Sequence, residues 1–295
     1  MNLALGTAQL RSNYGVSSTN KKAGDDEVRK ILDTALASGI KFIDTAVLYD
    51  DVEETLGRVM RPDNPFKIIS KTIHFKNGII TKEDPQTLLR DTNVSLSKLK
   101  RDSIHTLLIH DANDLLKENG NLLYDALLEL KSSGKVENIG VSAYDKGQIE
   151  LLMEKYDLDI IQLPVNVLDQ RLLVNGFLAR IKEKGISIFA RSVFLQGLLL
   201  MDLDEIPVYF EDLKGDIRTY FQELEDKSVT KLAGAISFAR SIAEIDQIVL
   251  GINDHEELLE CINSFKSEVD LDYSRFASHQ YKLLDPRQWK LPQKN

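Results

Sequence analysis

Short apolar runs rich in β-branched residues alternate along this 295-residue chain with longer stretches whose apolar positions recur at helical spacing. Eight such short runs stand at 3–5, 41–44, 67–70, 104–109, 138–141, 160–163, 186–190 and 247–250, and each reads as a strand. Between the first two, residues 25–37 place Val28, Ile31, Leu32 and Ala35 at i, i+3, i+4 and i+7. That spacing lines one helical face, and Ser38-Gly39 ends it. Residues 124–131 set Leu127, Leu128 and Leu130 among charges before a stop at 132–134, and 254–265 repeats the scheme near the end.

Strand and helix in strict alternation predict parallel strands, each followed by a crossover helix that covers one face of the sheet. Two architectures satisfy this: a closed eight-strand barrel and an open doubly wound sheet. The open sheet announces a bound dinucleotide with Gly-x-Gly-x-x-Gly after its first strand, and here that strand runs into Gly6-Thr7-Ala8-Gln9-Leu10-Arg11. The barrel is the better fit, as an α/β single domain spanning 1–295. No Gly/Ser-rich or Pro-rich linker divides the chain. Two segments, 199–227 and 270–295, exceed ordinary loop length and are expected as long connections, the first on the catalytic face.

Composition narrows the function. Hydrophobic residues make up 43% and charged residues 28%, enough for a sizeable core. A net charge of −9, with acids dispersed along the chain, favours solubility and argues against nucleic acid as a partner. Cys261 is the single cysteine, so no intrachain disulfide forms, and no Cys/His spacing suggests a metal site. No basic-then-apolar leader opens the sequence and no run approaches membrane-spanning length. A cytoplasmic protein without membrane contact is expected; oligomeric state is not legible.

Chemistry gathers where barrel chemistry sits, at the C-terminal ends of strands. The second strand leads into Phe42-Ile43-Asp44-Thr45-Ala46-Val47-Leu48-Tyr49, the third ends Ile69-Ser70-Lys71-Thr72, and the fourth ends Leu108-Ile109-His110-Asp111. Three successive strands thus deliver an acid and a phenol, an ammonium, and an imidazole. Taken singly, a buried tyrosine or a Lys–Asp pair is as often structural as catalytic.

In combination, these segments resemble the aldo-keto reductases, and the likeness continues through Gly140-Val141-Ser142, 162–166, 192–197 and Gly251. The resemblance implies reduction of an aldehyde or ketone, conceivably sugar-derived, with NADP(H) or NAD(H). It implies Tyr49 as proton donor, Lys71 as the cation that stabilises phenolate, Asp44 as the partner of Lys71, and His110 as a donor to the carbonyl oxygen. For the cofactor it implies Gly6 and Thr7 at the first strand end, Ser142 and Gln162 on the carboxamide, and Arg191, Ser192, Phe194, Gly197, Gly251, Asn253 and Glu257 along the rest. Asn13, Tyr14, His74, Asn166 and Arg171 would suit a hydroxylated substrate.

Three departures from the family pattern stand out. Ala143 follows Ser142 where the family has Asn; Arg191 stands where it has an aromatic ring; and 251–261 carries no Lys or Arg. A 2′-phosphate there would meet Asp254, Glu256 and Glu257, each like-charge contact costing on the order of 1 kcal/mol at moderate separation. Weaker NADP preference than the family norm follows, with NAD as the alternative. A redox-sensing barrel subunit with little turnover is the second reading, and a metal-dependent barrel hydrolase the third.

Overall fold

Leu3 and Leu5 pack outward with the helices while Ala4, between them, joins a separate inner cluster with Ile69, Leu108, Ile160, Phe189 and Val249. This period-two division is what a sheet buried on both faces requires, and it is repeated around a closed ring. The computed structural model describes residues 1–11, 15–16, 22–61 and 63–291. Asn13 and Tyr14 lie outside the described residues.

Eight parallel strands close the barrel in sequence order: β1 (Leu3–Gly6), β2 (Phe42–Asp44), β3 (Lys67–Lys71), β4 (Ile104–Ile109), β5 (Val136–Ser142), β6 (Ile160–Pro164), β7 (Ser187–Arg191) and β8 (Gln247–Gly251). β1 pairs with both β2 and β8, so no edge is left unpaired. The fold is a (β/α)8 barrel, and the eight strands read from the sequence are the eight that form.

Helices α1 (Asp25–Ala37), α2 (Val52–Val59), α3 (Asp84–Leu99), α4 (Asn113–Leu116), α5 (Asn121–Ser132), α6 (Lys146–Lys155), α7 (Phe177–Glu183), α8 (Lys214–Asp226), α9 (Lys231–Ser241), α10 (His255–Lys266) and α11 (Tyr281–Leu284) cover its outside. The face expected for α1 is the buried one: Val28, Ile31, Leu32 and Ala35. Each large member of that face contributes roughly 1.5–3 kcal/mol of burial. α5 starts three residues before the sequence pattern suggested, because Gly120 and Asn119 supply the turn that the apolar periodicity does not record.

The segment 199–227 is not a long connection. Val208–Leu213 forms a 3₁₀ helix that runs directly into α8, whose Ile217, Tyr220 and Leu224 are buried. Many exposed charges around those three hid the periodicity. The tail packs down: Tyr273 and Phe276 are buried, Tyr273 Oη donates to Gly234 O at 3.0 Å, and Trp289 Nε1 donates to Leu283 O at 3.0 Å.

Candidate active site

Register sets the mouth of the barrel level. Gly6 pairs with Asp44 on one side and Gly251 on the other, Ser142 with Gln162, and Pro164 with Arg191. The ladder continues past β2, where Thr45 N donates to Ile69 O and Val47 N to Lys71 O. A turn closed by Tyr49 N on Ala46 O then returns the ring over the mouth.

Lys71, 1% exposed, donates to Asp44 Oδ1 at 2.6 Å and to Thr45 O at 2.9 Å. Asp44 Oδ2 accepts from Gln162 Nε2 at 2.6 Å, so both carboxylate oxygens are engaged. A buried ammonium needs such a partner. Lys71 Nζ lies 5.2 Å from the centre of the Tyr49 ring, and the Tyr49 and His110 rings meet edge-on at 6.0 Å. The four residues singled out from three strand ends are therefore gathered in one place.

Burial drives the Tyr49 hydroxyl well above the ordinary tyrosine range; the Asp44 carboxylate adds to this, and the Arg191 guanidinium works against it. Burial likewise pushes His110 down to about 2, with Lys71, His74 and Arg191 adding their positive charge. His110 is thus a neutral imidazole. Its backbone N–H is fixed by Thr72 Oγ1 at 3.2 Å, and His74 stands edge-on to it at 4.8 Å.

Beside these residues opens a cavity of about 450 Å³ that runs from Asp44, Tyr49 and Gln162 to Glu257, Glu260 and Cys261. Gly6, Thr7, Arg191, Ser192, Phe194, Gly197, Gly251 and Asn253 also line it. Ser142 does not: it is buried at the end of β5 and stands off the cavity wall. Among the described residues Lys71 and His110 are also off the cavity wall, whereas Tyr49 and Asp44 are on it.

The turn after β7 is held in a left-handed form at Ser192, Leu195, Gln196 and Gly197, with φ of 60°, 46°, 54° and 96°. Non-glycine residues rarely adopt this, and four in six positions bend the chain sharply around one end of the cavity. At Gly251 a Cβ would stand 2.1 Å from Gln9 Oε1, so the glycine leaves room for the Gln9 side chain to lie against the end of β8. Glu257 is tied inward, accepting from Asn253 N at 2.8 Å and Asn253 Nδ2 at 2.9 Å, while Asp254 caps α10 through Glu257 N. The wall takes residues from the first turns of two helices, α9 and α10, and helix N-termini favour anionic groups such as phosphates.

Asn166 and Arg171 have structural occupations. Asn166 Oδ1 accepts from Leu168 N and Asp169 N, and Arg171 forks onto Asp169 at 2.7 and 2.8 Å. His105 is held by Thr106 and Asn138 and stands edge-on to Phe42, inside the barrel body. Sequence reasoning missed Gln9, Thr230, Lys231, Glu260 and Cys261 on the cavity wall. Thr230 was findable, because Thr-x-x-Ala opening a helix is a capping pattern, and Thr230 Oγ1 does accept from Ala233 N. Lys231 brings a cation to the groove from α9, held by Asp202 Oδ1 at 2.6 Å and Met201 O at 2.8 Å.

Residues 2–279 match the sequence profile described as the Aldo/keto reductase family, and the chain belongs to that family. It is 23% identical over 279 residues to an uncharacterized oxidoreductase, YqkF, of Bacillus subtilis, covering 88% of this chain and 89% of that one. It is 26% identical over 200 residues to the NADH-specific methylglyoxal reductase of Escherichia coli, covering 60% of each. Among these and other curated relatives the matched region ranges from 47% to 89% of their length. An aldo-keto reductase from Bacillus halodurans, solved in its holo form, superposes with a TM-score of 0.74 at 16% identity, over 94% of this chain and 92% of that chain. The protein is an NAD(P)-dependent oxidoreductase of a family that acts on carbonyls.

Proposed function

We propose that this member of the aldo/keto reductase family reduces an aldehyde or ketone to an alcohol at the Tyr49 end of the groove, as one barrel domain spanning 1–295. The observation that carries this reading is the convergence of Asp44, Tyr49, Lys71 and His110, with Tyr49 and Asp44 on the cavity wall.

A nicotinamide cofactor bound along the groove would supply the hydride that adds to the carbonyl carbon. Gln162 presents its side chain at the inner end, Ser142 stands one strand away, and the left-handed turn from Ser192 to Gly197 would bend around the pyrophosphate. Phe194, Gly6, Thr7, Gly251, Asn253 and Glu257 complete the wall. Tyr49 is held protonated at neutral pH and gives its hydroxyl proton to the oxygen as that atom becomes an alkoxide; the Tyr49 O–H bond breaks as the alcohol O–H forms. The phenolate left behind lies beside Lys71 and regains its proton from solvent. Neutral His110 can donate one N–H to the same oxygen without releasing a proton.

NAD(H) is the cofactor the groove favours, on our reading. The cavity wall there carries Glu257 and Glu260, and the one cation among its described residues at that end, Lys231, is already held by Asp202. The NADH-specific E. coli relative is in keeping with it. The test is a binding titration of the purified protein with NADH and NADPH, followed by loss of reduced-nicotinamide absorbance with an aldehyde panel. Tighter NADH binding with turnover is expected; binding of neither nucleotide would overturn the reading.

A further inference from the structure

Three fully or partly buried cations are each neutralised by an adjacent carboxylate. Lys71 is paired with Asp44 at 2.6 Å, Arg171 with Asp169 at 2.7 Å, and Arg287 with Asp285 at 2.7 Å. Arg191, at the end of β7 and on the cavity wall, has no carboxylate partner among the described residues. A guanidinium carries five N–H donors. Arg191 engages only two contacts, both at 3.3 Å, to Ser192 Oγ and Ala143 O, and its buried Nε has no acceptor.

The surroundings fix where those donors can be used. The Arg191 guanidinium carbon lies 4.1 Å from the centre of the Tyr144 ring, which the Arg287 guanidinium also approaches, at 3.8 Å. Ala143, fully buried, offers no side-chain acceptor. Arg191 lines the same cavity as Tyr49, so an anion held there lies in the space that Tyr49 borders. A neutral acceptor would leave a half-buried cation uncompensated, and a phosphate dianion would leave one negative charge over. A monocarboxylate matches the single free charge and the planar fork.

We infer that Arg191 anchors a carboxylate on the substrate, so that the carbonyl reduced here belongs to an aldehyde acid or keto acid. This rests on the reductase reading and narrows its substrate class. The anchor holds the anion at the edge of the site while the carbonyl oxygen reaches Tyr49, and the unpaired guanidinium selects against the neutral analogue. Long-range attraction is not the source of affinity, because the whole chain carries −9.

The experiment compares kcat/KM for matched pairs, succinic semialdehyde against its methyl ester and glyoxylate against glycolaldehyde, in wild type, Arg191→Met and Arg191→Lys. A second readout is calorimetric titration of the NADH-loaded protein with 4-hydroxybutyrate, with melting temperature to verify folding. Wild type should prefer an acid, and Arg191→Met should lower the acid-to-neutral ratio at least about 30-fold, mainly through KM, with Arg191→Lys in between. Loss of 4-hydroxybutyrate binding in Arg191→Met, even without turnover of any carbonyl, supports the anchor and sinks the reductase reading instead. Reduction of neutral aldehydes with no acid preference, or a ratio unchanged in both variants, overturns the anchor and leaves the reductase reading standing.

Discussion

The two halves of the barrel mouth treat charge in opposite ways. On the side of β2, β3 and β4 the buried ion pair is closed into a network, Lys71 on Asp44 and Asp44 on Gln162, beside a His110 that burial holds neutral and whose Nδ1 has no hydrogen-bond partner among the described residues. On the side of β5 to β7 the chain places Arg191 over Tyr144 with a buried, unpartnered Nε and two long contacts. The first arrangement compensates its own charges, which can hold a proton donor in one geometry. The second is complete only with an anion present, which is what a recognition element looks like. On the proposed reading chemistry and selectivity are separated around the ring, the former with its ion pair closed, the latter with a cation that has no carboxylate partner among the described residues.

That contrast can be broken most forcefully at Tyr49. Tyr49→Phe keeps the ring against His110 and Lys71 but removes the transferable proton, and carbonyl reduction should fall about a thousandfold while nucleotide binding is retained. Unchanged turnover in stopped-flow assays would remove Tyr49 from the chemistry. Asp44→Ala should instead leave Lys71 buried without a partner and cost roughly 3–5 kcal/mol of unfolding free energy by denaturant titration. A loss under about 1 kcal/mol would mean that the network is not closed in the way the 2.6 Å contacts indicate.

Acid should weaken the closed half through His110. Its folded value is depressed from 6.5 to about 2, so stability is full above pH 6.5 and is lost as pH falls below it, since unfolding releases the imidazole to take up a proton. Between pH 6.5 and 5 this amounts to about 2 kcal/mol, and His110→Gln should flatten that part of a melting-temperature profile. An equally steep decline in the variant would place the acid sensitivity elsewhere. The smallest effect is expected at the far end of the groove, where Glu257→Arg should shift the NADPH-to-NADH affinity ratio roughly tenfold towards NADPH. No shift in a fluorescence titration would move the adenosine end away from α10.

The half proposed for catalysis was the legible half. Ionisable residues at the ends of short apolar runs stand out in a sequence, and the barrel rule that strand C-termini carry chemistry converts three such runs into one site. The groove wall was less legible because its members come from far-separated segments. Lys231 and Cys261 sit within helices that read as ordinary amphipathic covering, and only the closure of β8 against β1 brings them beside Gln9 and Gly251.

Alternation of apolar runs and helical stripes by itself determined the eight strands, because burial on both faces of a parallel sheet leaves that pattern in the chain, and the missing Gly-x-Gly-x-x-Gly then favoured the closed barrel over an open sheet. The alternation also placed the helices whose buried stripe is unbroken, and it missed α8, where three buried residues sit among charges. What only the tertiary structure decided was pairing: that Asp44 is shared between Lys71 and Gln162, that Asn166 and Arg171 serve the loop, and that Arg191 is left free. Periodicity is a property of neighbours in sequence, whereas the state of a charge depends on whatever the fold sets within a few ångströms of it.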